Sequence, residues 1–253
     1  MAHSRAIAPI EAPSAEALTA DMVGVGMLVG GEGSGEPNIE DTILFASVEG
    51  VERDDLRVLA VLVTWFGVHS GRVNADRLTR LVARQASSRV RAFWSALARW
   101  RATDRRFARL ARGYRGAPLE LLSTGTAFQV ARHGEDPRFA ASKLRVPANV
   151  LRDRSTDVLA PAELAARHSV YRWRLVIGPV YRADMWAALE MEPSLTAAAL
   201  ARSAYGSFAT AWQTRRDFGE WRASRPRGTR ARAGEHERGP ERPCRDGPRS
   251  RSP

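Results

Sequence analysis

The sequence has very little cysteine and lysine, with Cys244 and Lys143 as the single example of each. One cysteine excludes an internal disulfide bond and any metal cluster held by several cysteines, and it fits a reducing intracellular compartment. Near its start the sequence also lacks an apolar run long enough to cross a membrane. The longest one there, 22–30, is short and interrupted by glycine. We therefore expect a cytoplasmic protein without an export signal or a membrane anchor.

Negative charge is also scarce relative to positive charge. The formal net charge is +11 and the isoelectric point is about 11.1, which favours nucleic-acid binding because clustered cations release counterions from phosphate. Arginine and alanine are abundant, however, and GC-rich codons encode both. About half of the net charge also lies in residues 222–253, which hold ten arginines and four acidic residues. The charge of the folded part is therefore weaker support for nucleic-acid binding than the total.

Side chains that perform chemistry are scattered rather than grouped. No pair of histidines has the spacing of metal ligands, and Gly33 and Ser34 are not followed by the paired aspartates of a nucleotidyltransferase. We therefore expect no enzyme activity, no cofactor and no metal site. The five histidines are His3, His69, His133, His168 and His236.

The composition divides the chain into four segments. Residues 1–37 mix proline, glycine, alanine and acidic residues without a period, which predicts a flexible leader. The glycines within 24–31 have no preceding strand pattern, so they indicate a linker rather than a dinucleotide loop. Two helical domains, 38–140 and 141–221, are expected next.

The fourth segment, 222–253, has no Val, Ile, Leu, Met, Phe, Tyr or Trp. It cannot bury apolar surface, which predicts disorder. Two explanations remain open for its mixture of Arg, Pro, Gly and Ser. It is either a basic tail that binds nucleic acid or GC-rich DNA read out of frame.

Helix signals begin at Asn38 and repeat at short intervals. Asn38, Asn74 and Ser87 or Ser88 are candidate N-caps, and the apolar run 56–68 predicts a buried helix. The segment 119–136 then resembles two short extended runs around a glycine. Three helices followed by a β-hairpin predict a winged-helix-like unit, so the expected fold class is mainly α, with winged-helix-like three-helix units and short β-hairpins.

The second helical domain begins with less regular segments. Pro161 suits the first turn of a helix, and Glu163 suits its dipole. The run 170–179 fits either a strand or a buried helix. An amphipathic helix through Met185 and Leu189 follows and stops before Pro193.

The segment 194–218 predicts two short helices joined by a tight turn. Ser194 or Thr196 begins the first helix, and Ser207 caps the second. The expected buried stripe of the second helix is Phe208, Ala211, Trp212, Arg215 and Phe218. The expected outward face is Ala209, Thr210, Gln213, Thr214 and Arg216.

The helix pair resembles the helix-turn-helix of bacterial winged-helix regulators. Those proteins commonly have Leu-Ala at the end of the first helix and Ser-x-x-Thr at the start of the recognition helix, as at Leu200–Ala201 and Ser207–Thr210. They usually have glycine where Tyr205 stands, whereas glycine here is the next residue, and no wing pattern follows. The resemblance implies sequence-specific binding of double-stranded DNA and transcriptional regulation. The candidate DNA-binding residues are Ser207, Thr210, Gln213, Thr214 and Arg216.

The wider layout resembles the antitoxins of abortive-infection toxin-antitoxin systems. That resemblance implies a nucleotidyltransferase-like toxin as a partner and repression of the antitoxin's own promoter. An alternative function is a non-catalytic scaffold that binds a partner protein through its tryptophan-rich helices. The tryptophans of that alternative are Trp94, Trp100, Trp186 and Trp212.

Overall fold

A computed structural model of the chain describes residues 12–224, which are mainly helical. Eleven helices precede the last one, α12, which is also the longest of those described. The helices are α1 (Ala15–Gly24), α2 (Ile39–Glu52), α3 (Leu56–His69), α4 (Ala75–Ala83), α5 (Ser88–Trp100), α6 (Ala108–Ala111), α7 (Thr126–His133), α8 (Pro161–Arg167), α9 (Ser169–Ile177), α10 (Tyr181–Met191), α11 (Ala197–Ser203) and α12 (Phe208–Ser224).

Polar side chains at the helix starts explain where several helices begin. The Asn38 side chain accepts hydrogen bonds from Glu40 N and Asp41 N, and the Asn74 and Ser87 side chains accept from the third residue after each. Each cap satisfies amides that have no partner inside the helix. The caps expected at Asn38, Asn74 and Ser87 are therefore confirmed.

The β-hairpin expected within 119–136 is wrong. Strand β1 (Leu119–Glu120) pairs in parallel with strand β2 (Leu144–Arg145), and α7 lies between them in the chain. A parallel pair needs a crossover connection, which a hairpin turn cannot provide. Gly125, expected between two extended runs, instead has a φ of 79° and begins α7. The first three-helix unit thus has no wing at this position.

The first hydrophobic core is centred on α3, whose residues from Leu59 to Phe66 are all buried. Helices α2, α4 and α5 contribute buried residues to the same core. The rings of Phe66 and Trp94 meet edge to face with centroids 5.5 Å apart. The Trp94 indole N–H donates to the Ser47 hydroxyl over 2.8 Å, so the buried ring has no unsatisfied donor.

The flexible leader expected for 1–37 is wrong for its described part. Helix α1 begins at the Ser14 cap, and Leu18, Met22 and Met27 are buried in the first core. The Trp65 indole N–H also donates to the Val25 carbonyl over 2.8 Å. The glycine-rich stretch is folded because these apolar residues fill the core surface beside α3, a contact that no local pattern shows.

A second, smaller core joins α10, α11 and α12. The first core runs through Tyr171, so the division expected between 140 and 141 lies too early in the chain. Helix α9 belongs to both cores, because Tyr171 packs in the first and Trp173 packs against the second. The run 170–179, left open as strand or helix, is thus mostly this shared helix.

Two boundary predictions concern the chain around the helix pair. Thr196, rather than Ser194, caps α11 by accepting from Ala199 N over 3.1 Å. Helix α12 continues through Ser224, past the expected start of the tail at Arg222. The remainder of the expected disordered tail lies outside the described residues.

Candidate nucleic-acid interface

The turn between α11 and α12 has the hydrogen bonds that commonly end a helix. Gly206 N donates to Ala201 O over 2.9 Å, and Tyr205 N donates to Arg202 O over 3.2 Å. In both bonds an amide beyond the helix donates back to a carbonyl of its last turn. This arrangement requires a residue in the left-handed conformation, which is usually glycine. Here that residue is Tyr205, with a φ of 54°.

Gly206 lies where the turn approaches α10 closely. A Cβ atom on Gly206 would lie 2.2 Å from Cε of Met185, which is fully buried on α10. The glycine thus stands one position later than in the regulators that the segment resembles, at a point where the turn contacts α10. The turn keeps its left-handed geometry without a glycine at the left-handed residue.

The start of α12 is fixed by two of the candidate residues. The Ser207 hydroxyl accepts from Thr210 N over 3.0 Å, which confirms the expected cap. The hydroxyls of Ser207 and Thr210 are also hydrogen-bonded to each other over 2.6 Å. Both side chains are half-buried, so their hydrogen bonds define the helix start rather than stand free for a ligand.

The outward and inward faces of α12 differ from the expected ones. Thr214, expected outward, is buried, and its hydroxyl donates to the Thr210 carbonyl over 2.7 Å. Phe208 and Trp212, expected inward, are 60% and 54% exposed. Arg215, also expected inward, is exposed. The buried stripe is Ala211, Thr214 and Phe218. Thr214 can be buried because its hydroxyl is hydrogen-bonded to the backbone of its own helix.

An aromatic cluster packs against the inner face of α12. The Trp186 ring of α10 lies 5.3 Å, centroid to centroid, from both Phe218 and Trp221 of α12 and 5.0 Å from Trp173 of α9. Aromatic pairs in such contacts stabilise a core beyond the area they bury. The cluster therefore fixes the C-terminal half of α12 against α9 and α10.

The exposed polar side chains of α12 are paired along the helix. Gln213 donates to Asp217 over 2.9 Å, and Arg216 donates to Glu220 over 3.1 Å. Asp217 also forms an ion pair with Arg182 of α10 at 2.6 Å. Of the five candidate residues, Gln213 and Arg216 alone are exposed, and they lie one turn apart on one face.

A buried ionic network lies between the two cores, and no local pattern in the sequence indicates it. Arg174 of α9 donates to Glu40 over 2.6 Å and to Asp184 over 2.7 Å, and all three side chains are buried. Burial alone would lower the pKa of Arg174, but the carboxylates of Asp184 and Glu40 outweigh it and raise that pKa. The guanidinium is therefore charged throughout the accessible pH range.

The turn before α12 lies against a second buried arginine. Arg77 of α4 donates to both oxygens of Asp41 over 2.7 and 2.8 Å. The Tyr205 ring covers this guanidinium, with Cζ of Arg77 4.0 Å from the ring centroid. Burial raises the pKa of Asp41 to about 6, although Arg77 opposes that shift. Side chains of α2 and α4 thus meet the turn before α12, although they are distant from it in the chain.

The histidines of the described chain are part of the interior or isolated on the surface. Burial lowers the pKa of His69 to about 4, and its ring nitrogens lie 2.8 Å from the Tyr171 hydroxyl and 3.0 Å from the Leu159 carbonyl. His168 is buried beside Glu36. Within 12–224, no group of three or more His, Cys, Asp or Glu is arranged to hold a metal ion.

Comparisons add no identity to this geometry. No protein-family model, curated protein or solved structure matches the chain. None of the helices in the described part is long and apolar enough to cross a membrane. The helix pair and its surface are therefore the features that bear on function.

Proposed function

We propose that the protein is a sequence-specific DNA-binding regulator that places α12 in the major groove. The observation that supports this is the exposed outer face of α12, which directly follows a tight turn from α11 and carries Gln213 and Arg216 one turn apart. A helix of 17 residues is about 25 Å long, enough to lie along a groove. Glutamine and arginine have the donors that read adenine and guanine edges.

The corrected contact set is smaller than the sequence predicts. Thr214 is excluded because it is buried, and Ser207 and Thr210 define the start of the helix. Arg215 is also exposed, but two residues along a helix point to different sides, so it does not share the face of Gln213. On binding, Gln213 and Arg216 exchange their present partners Asp217 and Glu220 for DNA, and these surface pairs are weak enough for such an exchange.

Selection from a random duplex library, followed by affinity measurements at several salt concentrations, tests this function. Gln213→Ala should cost about 1–3 kcal/mol on the selected site and relax the preference at one base pair. Arg216→Ala should weaken binding to all sequences and lower the slope of log affinity against log salt by about one.

Arg53→Ala is the matched control. Arg53, at the C-terminal end of α2, is exposed and paired with Glu49 four residues earlier, as Arg216 is paired with Glu220 four residues later. The substitution removes the same charge and the same type of pair away from α12, so it should leave the salt slope unchanged. If the library yields no preferred sequence and Arg216→Ala behaves like Arg53→Ala, the DNA-binding proposal is wrong.

Protein binding is the second candidate function, and the exposed pair Phe208 and Trp212 favours it. Of the four tryptophans considered for a scaffold, Trp94 and Trp186 are buried and Trp212 is more than half exposed. Aromatic residues beside arginines are typical of protein interfaces. If the resemblance to antitoxins holds, the partner is a toxin encoded beside this gene. Loss of that partner in a Phe208→Ser, Trp212→Ser variant that still binds DNA would support this second function.

A further inference from the structure

The surface between the two cores is polar rather than apolar. Arg174 crosses it to Glu40, and Tyr181 of α10 donates to Asp76 of α4 over 3.2 Å. Tyr205 crosses it at a third point, above Arg77. Domain interfaces of this polar type hold their partners less firmly than a continuous hydrophobic core does. The aromatic cluster fixes the C-terminal half of α12 on α9, so these few contacts determine how the N-terminal half of α12 lies against the first core.

Tyr205 forms part of the environment of the buried Arg77 guanidinium. Its guanidinium is fully buried, donates to Asp41 and, over 2.6 Å, to Asn38, and forms an ion pair with Glu40 at 3.8 Å. Its Nε has no hydrogen-bond partner among residues 12–224. The face of an aromatic ring attracts a cation, most strongly where water is excluded. The Tyr205 ring lies over this buried guanidinium and adds an aromatic contact to its carboxylate partners.

The backbone of Tyr205 indicates that this contact, and not the turn, accounts for the residue. A left-handed conformation is strained for an L-residue with a side chain, and glycine would avoid that strain. Tyr205 adopts a φ of 54° nonetheless, and its ring is half-buried against α4. The ring contact with Arg77 offsets the strain.

We propose that Tyr205 is a positioning residue, which fixes the N-terminal half of α12 against the first core by docking the α11–α12 turn on Arg77. The effect on DNA binding rests on the proposed function, whereas the orientation itself does not. Tyr205 lies two residues before Ser207, the cap of α12. A change at Tyr205 therefore moves the helix start without altering any side chain on the exposed face.

Three substitutions separate docking from turn geometry. Tyr205→Gly relieves the strained backbone and removes the ring, Tyr205→Phe keeps the ring over Arg77, and Tyr205→Asn suits the left-handed conformation without a ring. Spin labels at Arg57→Cys on α3 and Ala209→Cys in the first turn of α12, both exposed, report the distance between the core and the helix start in a Cys244→Ser background. The Arg77 side-chain proton shifts, measured by NMR, report whether an aromatic ring lies above them.

The expected result is a wider distance distribution for Tyr205→Gly and Tyr205→Asn, with the wild-type distribution retained by Tyr205→Phe. The Arg77 protons should lose their ring-current shift in the Gly and Asn variants alone, and DNA affinity should fall about tenfold in the same two. Melting of the Gly variant should stay close to that of the wild type, because relief of strain offsets the lost contact. Should the Gly variant fail to fold, the Asn variant provides the same comparison.

Each alternative outcome has a distinct meaning. Unchanged distance distributions in the Gly and Asn variants overturn the positioning role, whatever their DNA affinity. A wider distribution in a protein that binds no DNA in any form refutes the proposed function and leaves the positioning role standing. Equal disturbance by Tyr205→Phe would show that the hydroxyl, and not the ring, makes the contact, and it also overturns the proposal.

Discussion

At the scale of single residues, the buried charged groups are those whose transfer from water costs the most free energy. Arg77, Arg174 and Glu40 are all fully buried, and each is compensated by neighbours from other helices. Transfer of a charge from water to a protein interior costs several kcal/mol unless partners and hydrogen bonds replace the water. These residues tolerate burial because every one of them has an opposite charge at hydrogen-bond or ion-pair distance.

Removal of Arg174 should be strongly destabilising. Arg174→Met leaves Glu40 and Asp184 buried without a cation, and we expect the free energy of unfolding to fall by about 3–5 kcal/mol. Arg172→Met is the matched control on the same helix. Its exposed pair with Glu190 at 2.7 Å should cost less than about 1 kcal/mol. Urea unfolding of both variants measures the difference, and equal losses would contradict the role of the network.

At the scale of elements, the helix pair depends on where glycine is and is not needed. Gly206 permits the close crossing of the turn and α10, whereas Gly219 lies exposed inside α12, where an added Cβ would meet no neighbouring atom within 4 Å. An added methyl group at Gly206 must displace the end of the buried Met185 side chain, whereas Gly219 weakens its helix through backbone entropy. The two sites therefore respond to the same substitution in opposite directions.

Alanine substitution at the two glycines tests this difference. Gly206→Ala should lower the free energy of unfolding by about 1–3 kcal/mol, because its Cβ would meet Cε of Met185 at 2.2 Å. Gly219→Ala should raise it by about 0.5–1 kcal/mol. Thermal and urea unfolding measure both effects. Met185→Leu, which lacks that terminal carbon, should recover part of the Gly206→Ala loss, and the absence of any recovery would disprove the proposed clash.

At the scale of the whole molecule, two cores of unequal size share α9 and meet across charged residues. The second core has few members, so the last aromatic residues of α12 contribute a large part of it. Phe218 is buried and Trp221 packs against the same cluster. The point at which the chain is shortened therefore decides whether the second core survives.

Two shortened chains test this dependence. A chain that ends at Ser224 keeps every described helix and should melt cooperatively at nearly the temperature of the full chain, since residues 225–253 contain no large apolar side chain. A chain that ends at Arg216 loses Phe218 and Trp221, and should lose about 3–5 kcal/mol or more of stability. Calorimetry compares them. A large loss in the longer of the two would show that the tail takes part in folding.

Local signals in the sequence determined most of the helices and several of their starts. Asn38, Asn74, Ser87 and Ser207 were identifiable because a cap acts on amides two or three residues away. The mainly helical class and the order of the helix pair follow from the same short-range information. Of the candidate DNA-binding face, the exposed part that could be identified in this way is Gln213 and Arg216.

Tertiary structure alone decided the rest, because the contacts concerned are distant in the chain. Arg174 and Glu40 are 134 residues apart, and β1 pairs with a strand on the far side of α7. The rotation of α12, which buries Thr214 and exposes Trp212, is set by the aromatic cluster on α9 and α10 rather than by the hydrophobicity of α12 itself. Periodicity shows that a helix has two faces, but the neighbouring helices determine which of them is covered.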